Sequence, residues 1–246
     1  MSAIEPPPVE DFASVRASSG SLETEVYAQI FARLMNASIA PGARLSVDAL
    51  ARELEVSQTP IRQALAKLEA DGLVVRNHLR GFRAMPLLSS DEFNDLFDMR
   101  SLLEPFAAGR ASLLRSEEQM EALEKLELEM AGVPQTGTDQ AHDQFAILDS
   151  QFHDMVLAAS GNALIRECLS RAHSHMHIFR SRRDPVVVEG GVDEHRAIVE
   201  AIRRQDPYVA EAAMRSHIEL ARKRILRDVE EGSEDEPGVD QVHESG

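Results

Sequence analysis

The sequence predicts a mainly α-helical protein, with an N-terminal winged helix-turn-helix and a C-terminal antiparallel bundle of about six helices. Three observations support this prediction. Apolar residues recur at helical spacing over most of the chain. Two short strand-like runs flank a turn at 77–81. Breaks between the helical stretches fall at Gly, Pro and Asn. The predicted domains are 21–87 and 88–228, preceded by a disordered leader (1–20) and followed by a disordered acidic tail (229–246).

Composition and charge limit the function classes. The 246 residues are 43% hydrophobic and 28% charged, as in an ordinary globular protein. No apolar run approaches the roughly 18 residues of a membrane span. The start lacks the basic and apolar regions of a signal peptide. The single cysteine, Cys168, cannot form an internal disulfide and is expected in the core. We therefore expect a cytoplasmic protein without a membrane partner.

The charge is unevenly distributed along the chain. The net charge is −16, and residues 228–246 carry eight acidic side chains and no Lys or Arg. Residues 44–83 instead carry seven basic side chains against five acidic ones. The overall charge argues against general nucleic-acid binding, but this local excess permits DNA binding by the first domain.

The first domain begins with two predicted helices. Val26, Ile30 and Leu34 are spaced by four residues, which predicts an amphipathic helix that ends before Pro41. Ser46 is placed to cap a short second helix.

A third helix and a hairpin complete the predicted winged domain. Ser57 is placed to cap the third helix, and Pro60 lies in its first turn, where a missing N–H costs little. Gly72 ends this helix in the position that favours a left-handed residue. Residues 73–76 and 82–85 are predicted as the two strands of the hairpin.

The third helix is the predicted DNA-reading element. In a helix-turn-helix the second helix of the motif enters the major groove, with its N-terminal residues at the base edges. Gln58 could pair with adenine, Arg62 with guanine, and a glycine at the hairpin tip allows a close backbone approach to the sugar-phosphate chain. The predicted DNA-contacting residues are Ser57, Gln58, Thr59, Arg62, Arg80 and Gly81. The alternative is a winged helix that contacts proteins through a solvated basic face.

This segment resembles the DNA-binding domain of the GntR family of bacterial transcription regulators. About forty residues match in register, GARLSVDALARELEVSQTPIRQALAKLEADGLVVRNHLRGF. The family phrase V-S-R-T-P-V-R-E-A-L corresponds to residues 56–65, and Arg62 and the wing pair Arg80-Gly81 match. Gln58 and Gln63 replace the usual arginine and glutamate. The resemblance implies a homodimer on a pseudo-palindromic DNA operator, with Gln58 altering base preference or weakening binding.

The second domain is predicted to be helical throughout. Helical periods cover 90–115, 117–131, 139–160, 162–182, 193–205 and 207–228. The breaks between them include Gly161-Asn162, Gly190-Gly191 and Asp206-Pro207.

Four polar residues lie on the apolar faces of three of these helices. Asp149 and His153 are i, i+4 neighbours, and His195 and His217 share faces with aliphatic residues. An unpaired buried carboxylate is costly, and one metal ion would satisfy all four groups. Three imidazoles and a carboxylate suit zinc or another divalent transition metal, such as nickel, cobalt or manganese. The alternatives are hydrogen-bonded core histidines, or a site built on His173 and its neighbours His175 and His177.

The second domain resembles the FCD effector-binding domain of the FadR-like branch of GntR regulators. The resemblance is carried by the runs 100–104, 149–153, 194–198 and 213–217. It implies the same metal ligands, Asp149, His153, His195 and His217, and a small carboxylate effector beside the metal. A domain of six helices, as predicted here, is similar to the FCD domains of the VanR-type subgroup. Arg100 could bind the effector carboxylate, or it could instead pair with Glu104 one turn later. His173 is the second candidate effector contact.

The sequence thus predicts a regulator, not an enzyme: a repressor whose operator affinity changes when a small organic acid binds near the metal. The alternative is a helical metalloenzyme, a hydrolase or lyase, that uses the same four residues and a metal-bound water.

Overall fold

The computed structural model describes the backbone of residues 11–77, 81–134, 138–172 and 186–233. Side chains are described over 22–77, 81–134, 138–172 and 190–224. The chain forms two compact units: residues up to Leu88 belong to the first, and Ser89–Ser170 together with the described residues from Val186 onward belong to the second. The predicted helix residue His173 lies outside the described residues, as does Arg80.

The first unit is a winged helix-turn-helix with a small antiparallel sheet, which confirms the predicted fold. Its elements are α1 (Asp11–Met35), β1 (Arg44–Leu45), α2 (Val47–Glu53), α3 (Gln58–Ala70), β2 (Val74–Asn77) and β3 (Gly81–Ala84). The strand order is β1-β3-β2. The two-residue strand β1 was not predicted, because two residues are too short to show an alternating pattern. Helix α1 starts at Asp11, inside the segment for which the sequence predicts a disordered leader.

Local chemistry explains where the helices of this unit begin and end. Ser46 caps α2 by accepting a hydrogen bond from the backbone N–H of Ala49. Gly72 follows α3 with a φ of 74°, as its position predicts. Ser57 occupies the N-cap position of α3, but its side chain makes no capping hydrogen bond, so that part of the prediction is wrong.

The second unit is helical in its described residues. Its helices are α4 (Ser90–Leu114), α5 (Glu117–Ala131), α6 (Asp139–Ala159), α7 (Ala163–Ala172), α8 (Val186–Arg203) and α9 (Pro207–Ser233). Helices α4 and α9 run antiparallel: Arg222 of α9 pairs with Asp98 at 2.6 Å, whereas the earlier Arg215 donates to the carbonyl oxygen of the later Ser101. Helix α9 extends five residues beyond the predicted end at 228.

The predicted helix break at Gly190-Gly191 is wrong, because α8 runs through both glycines. Their missing side chains allow close packing instead. A Cβ atom at Gly190 would lie 2.7 Å from Arg224 Nη1, and one at Gly191 would lie 3.1 Å from Phe145 Cζ. The glycine pair therefore brings α9 and α6 close to α8.

Two further findings concern exposure and length. Cys168 is exposed on α7, and the expectation of a core cysteine is wrong.

Within the described residues, no helix combines the length and apolar character that crossing a bilayer requires.

Candidate metal centre and DNA-reading surface

Four polar side chains from three helices converge inside the second unit. Asp149 and His153 come from α6, His195 from α8 and His217 from α9, and all four are buried. Each offers one ligand atom, and these atoms all lie within 4.8 Å of one another. They are the four residues that the sequence predicts as a single cluster.

The cluster centres on the imidazole Nε2 atoms. The Nε2 atoms of His153 and His217 are 3.1 Å apart. His195 Nε2 lies 3.1 Å from Asp149 Oδ1, and His153 Nε2 lies 3.8 Å from the same oxygen. These separations place three imidazole nitrogens and one carboxylate oxygen around a common point.

Two glutamates outside the cluster hold two of the histidines. Glu104 Oε2 is 2.6 Å from His153 Nδ1, and Glu194 Oε2 is 2.9 Å from His217 Nδ1. Neither glutamate was predicted from the sequence to be part of this site. Glu104 appeared only as a possible partner of Arg100, and Glu194 only within a matching run. For Glu194 the available signal was its position directly before the predicted ligand His195, because acidic residues next to metal-binding histidines are candidates for outer hydrogen-bond partners.

Each of these glutamates is in turn paired with an arginine. Arg100 Nε donates to Glu104 Oε1 at 2.6 Å. Arg224 Nη1 and Nη2 donate to the two oxygens of Glu194 at 2.5 and 2.8 Å. Arg100, a predicted effector contact, is therefore bound to Glu104, which is the alternative that the sequence left open; both side chains are buried.

The hydrogen bonds around the cluster show that a cation would fit there. With a proton on Nδ1, His153 would donate to the carboxylate of Glu104, and His217 would donate to that of Glu194. In the neutral rings the Nε2 lone pairs then face each other across 3.1 Å. Neither ring nitrogen of His195 has a hydrogen-bond partner among the described residues, since its approach to Asp149 lacks hydrogen-bond geometry. A divalent transition metal would accept lone pairs from all three rings.

Burial and neighbouring charges set the ionisation of this site. Burial, together with the nearby His195 and His153, lowers the pKa of His217 to about 3, although Glu194 and Asp149 act in the opposite direction. Burial raises the pKa of Glu194, but hydrogen bonds from Arg224 and His217 outweigh it and lower that pKa to about 2. His217 is therefore neutral at pH 7, as a metal ligand must be, and Glu194 is ionised.

The predicted DNA-reading residues lie on an exposed surface of the first unit. Ser57, Gln58, Thr59 and Arg62 are exposed at the N-terminal end of α3. Gln58 Nε2 donates to Asp48 Oδ1 at 2.5 Å, and Arg62 Nη2 donates to Gln58 Oε1 at 3.3 Å. Gly81 is exposed at the start of β3 with a φ of 76°, a conformation that favours glycine.

Comparison with known protein families assigns both units. The profile of the family "Bacterial regulatory proteins, gntR family" matches residues 22–83. The profile of the FCD domain matches residues 95–220, which is more than half of the chain.

Individual relatives agree with this assignment. The chain is 26% identical over 212 residues to the uncharacterized HTH-type transcriptional regulator YdhC of Bacillus subtilis, covering 85% of this chain and 93% of that protein. It is 28% identical over 207 residues to the B. subtilis regulator LutR, covering 75% and 92%. These relatives are transcription regulators, which favours the predicted regulator over the metalloenzyme alternative.

Solved structures share the fold. E. coli McbR/YncC superposes with a TM-score of 0.62 at 16% identity, covering 85% of this chain and 98% of that one. A GntR transcriptional regulator from Rhodococcus sp. RHA1 gives a TM-score of 0.59 at 21% identity, covering 84% and 98%. With both profiles matched, the chain belongs to the GntR family of bacterial transcription regulators, as a DNA-binding member with an FCD domain.

Proposed function

We propose that this regulator is a metabolite-responsive repressor, in which a small organic acid bound beside a divalent transition metal changes operator affinity. The observation that carries the proposal is the convergence of Asp149, His153, His195 and His217 within 4.8 Å in the interior of the FCD domain. If the regulator exists in two conformations with different affinities for DNA, an effector that binds one of them more tightly changes the fraction of protein that can bind the operator.

The charge balance of the site favours an anionic effector. The pairs Arg100–Glu104 and Arg224–Glu194 are each neutral. A bound divalent cation would meet one negative charge, that of Asp149, and would leave the buried site with a net charge of +1. A carboxylate would cancel this charge and bind the cation directly. Zinc fits the donor set, and nickel, cobalt and manganese are the alternatives. Direct roles for Arg100 and His173 in holding the effector stay predictions.

A thermal-shift screen tests the metal and the effector together. The full-length protein is stripped of metal, loaded with zinc, and heated with single organic acids. A ligand of the folded state raises the melting temperature with its concentration. The doubly substituted chain, His195→Ala with His217→Ala, should lose both the zinc-dependent and the acid-dependent increase and keep basal DNA binding. The proposal is contradicted if wild-type protein gains no stability from any of the four metals.

We further propose that the regulator acts as a homodimer on a pseudo-palindromic operator. Leu102, Phe106 and Leu113 are spaced by four and seven residues and therefore share one face of α4. Their exposed fractions are 75%, 47% and 58%, so other described residues leave this face largely uncovered. A two-fold dimer through such a face would present two reading heads, one for each half-site.

Two finer assignments also stay predictions. The VanR-type subgroup depends on the number of helices in the second unit, and residues 173–185 lie outside the described residues. A cytoplasmic location is supported by the DNA-binding function and by the single cysteine.

A further inference from the structure

Two chains of hydrogen bonds approach the histidine cluster from opposite sides. One runs from Arg100 through Glu104 to His153, and all three side chains are buried. The other runs from Arg224 through Glu194 to His217. The two chains end on Nε2 atoms that are 3.1 Å apart. Both chains therefore follow the same order, from arginine to carboxylate to imidazole, although they come from different helices.

We propose that Glu104 and Glu194 are positioning residues that fix the protonated nitrogen of His153 and His217 as Nδ1, so that both Nε2 lone pairs are available to one metal ion. This inference rests on the proposed metal site. A carboxylate only accepts hydrogen bonds, so the ring nitrogen facing it must donate. The outer partner of a metal-bound histidine orients the ring and raises the basicity of the ligating nitrogen.

The two arginines orient the carboxylates of Glu104 and Glu194 through hydrogen bonds. Arginine only donates hydrogen bonds, so Glu104 accepts from Arg100: Nε donates to Oε1 at 2.6 Å, and Nη2 makes a longer contact of 3.5 Å with Oε2. The shortest contact of Oε2 is the one to His153 Nδ1, at 2.6 Å. On the other side, the two-pronged contact of Arg224 fixes the carboxylate plane of Glu194.

His195 lacks such support. Both of its ring nitrogens have no hydrogen-bond partner among the described residues. Its ring instead packs edge-on against Phe152, with the ring centroids 4.7 Å apart. The cluster thus combines two histidines set by carboxylates with a third that is held by packing, and the outer glutamates are expected to matter only for the first two.

Glu104→Gln is the sharpest test of the proposal. Arg100 only donates, so it would bind the side-chain oxygen of the introduced glutamine and not its NH2 group. The NH2 group would then face His153 Nδ1. His153 would have to accept there and carry its proton on Nε2, where the metal should bind. We expect zinc affinity to fall about 10- to 100-fold. The matched control is Glu124→Gln, which changes a carboxylate that pairs with Arg203 outside the cluster and should leave zinc affinity unchanged.

The measurement combines zinc titration by calorimetry with histidine 15N spectra of the full-length protein, with and without zinc. In the wild type, both His153 and His217 should carry a proton on Nδ1 even without metal, and in Glu104→Gln His153 alone should lose it. A simple packing role for Glu104 would not move this proton. The proposal is overturned if either wild-type ring lacks the Nδ1 proton, or if Glu104→Gln leaves the proton of His153 in place. If wild-type protein binds no metal but its spectra show both Nδ1 protons, the metal site fails and the tautomer assignment stands.

Discussion

At the scale of single residues, the buried histidines make the second unit sensitive to acid. His217 is almost fully buried and lies between Glu194 and the other two imidazoles. A cationic ring there would lose hydration and meet two neighbouring rings. The folded chain therefore keeps His217 neutral at a pH where the unfolded chain protonates it.

We predict that the metal-free protein loses stability as the pH falls from 6.5 to 4.5. The pKa of His217 is lowered from 6.5 to about 3, so only the unfolded chain binds a proton in this range. The free energy of unfolding should fall with decreasing pH, by at most about 1.4 kcal/mol per pH unit from this group. Glu194, with a pKa lowered from 4.5 to about 2, contributes mainly below pH 5.

Urea unfolding in the presence of a chelator, at pH 7 and pH 5, measures this loss. His217→Gln should lose less stability over the same interval, since it has no imidazole at that position. Equal losses in the two proteins would show that His217 is not responsible.

The four residues of the buried cluster were predictable from sequence because helical periodicity places each of them on an apolar face. The outer residues were not. Arg100 and Glu104 are i, i+4 neighbours, a spacing that is common in solvated ion pairs, and nothing in their spacing shows that both are buried. Their burial depends on how α6 and α9 pack against α4, which is a tertiary property.

At the scale of elements, the recognition helix α3 presents Arg62 in a small network. Gln58 donates to Asp48 and accepts from Arg62, so both ends of its amide are already used. Gln58 stands where the family usually has arginine, and the network shows it supporting Arg62. Arg62 is exposed, and its predicted role is to pair with a guanine.

We predict that Arg62→Ala weakens operator binding by about 1–3 kcal/mol, or about 5- to 150-fold. The probe is a DNA duplex selected with wild-type protein from a randomised library, and binding is measured by fluorescence anisotropy. The control is Arg204→Ala, which removes the same charge from an exposed site in the second unit. The role of Arg62 is refuted if both variants bind the duplex equally well.

Helix α8 shows how a pair of glycines can serve packing. Alanine is favoured over glycine inside a helix by about 1 kcal/mol. A Cβ atom at Gly190 would nevertheless meet Arg224 Nη1 at 2.7 Å, and that guanidinium holds Glu194. The two effects on stability oppose each other, but only the contact with Arg224 would also disturb Glu194, which holds His217 in the proposed metal site.

We predict that Gly190→Ala lowers zinc affinity severalfold while its melting temperature stays close to that of the wild type. Gly132→Ala is the control, because a Cβ atom there would come no closer than 3.5 Å to its neighbours. Calorimetric zinc titration and thermal unfolding give the two quantities. Unchanged zinc affinity in Gly190→Ala would show that Arg224 adjusts without disturbing Glu194.

Element boundaries were predictable where a cap or a turn residue marks them, as at Ser46 and Gly72. The prediction was wrong at Gly190-Gly191, because glycine marks both a turn and a close approach of two helices, and sequence spacing does not separate these uses. Strand β1 could not be found either, since its two residues gain their conformation by pairing with Arg83 and Phe82.

At the scale of the whole molecule, the exposed apolar face of α4 is expected to hold two chains together. We predict that Phe106→Glu converts a dimer to a monomer, because it places a charge in the middle of the face formed by Leu102, Phe106 and Leu113. Light scattering after size-exclusion chromatography gives the mass. Leu128→Glu changes another exposed leucine, on α5, and should leave the mass unchanged. A Phe106→Glu protein that keeps the wild-type mass would place the interface elsewhere.

The overall architecture was the most predictable level of all. A winged helix-turn-helix followed by a helical domain follows from periodicity, turn residues and one specific run of about forty residues. The proposed effect of ligand binding on operator affinity would depend on how the units are arranged in each state, and no pattern of single residues specifies that arrangement.

The lone thiol of Cys168, exposed on α7, has a practical consequence. A maleimide dye or a nitroxide will attach once per chain, at a known helix of the FCD domain. Two labelled chains in one assembly would then carry two probes, and the distance between them, followed by energy transfer or electron resonance during titration with zinc and candidate acids, would report the rearrangement directly.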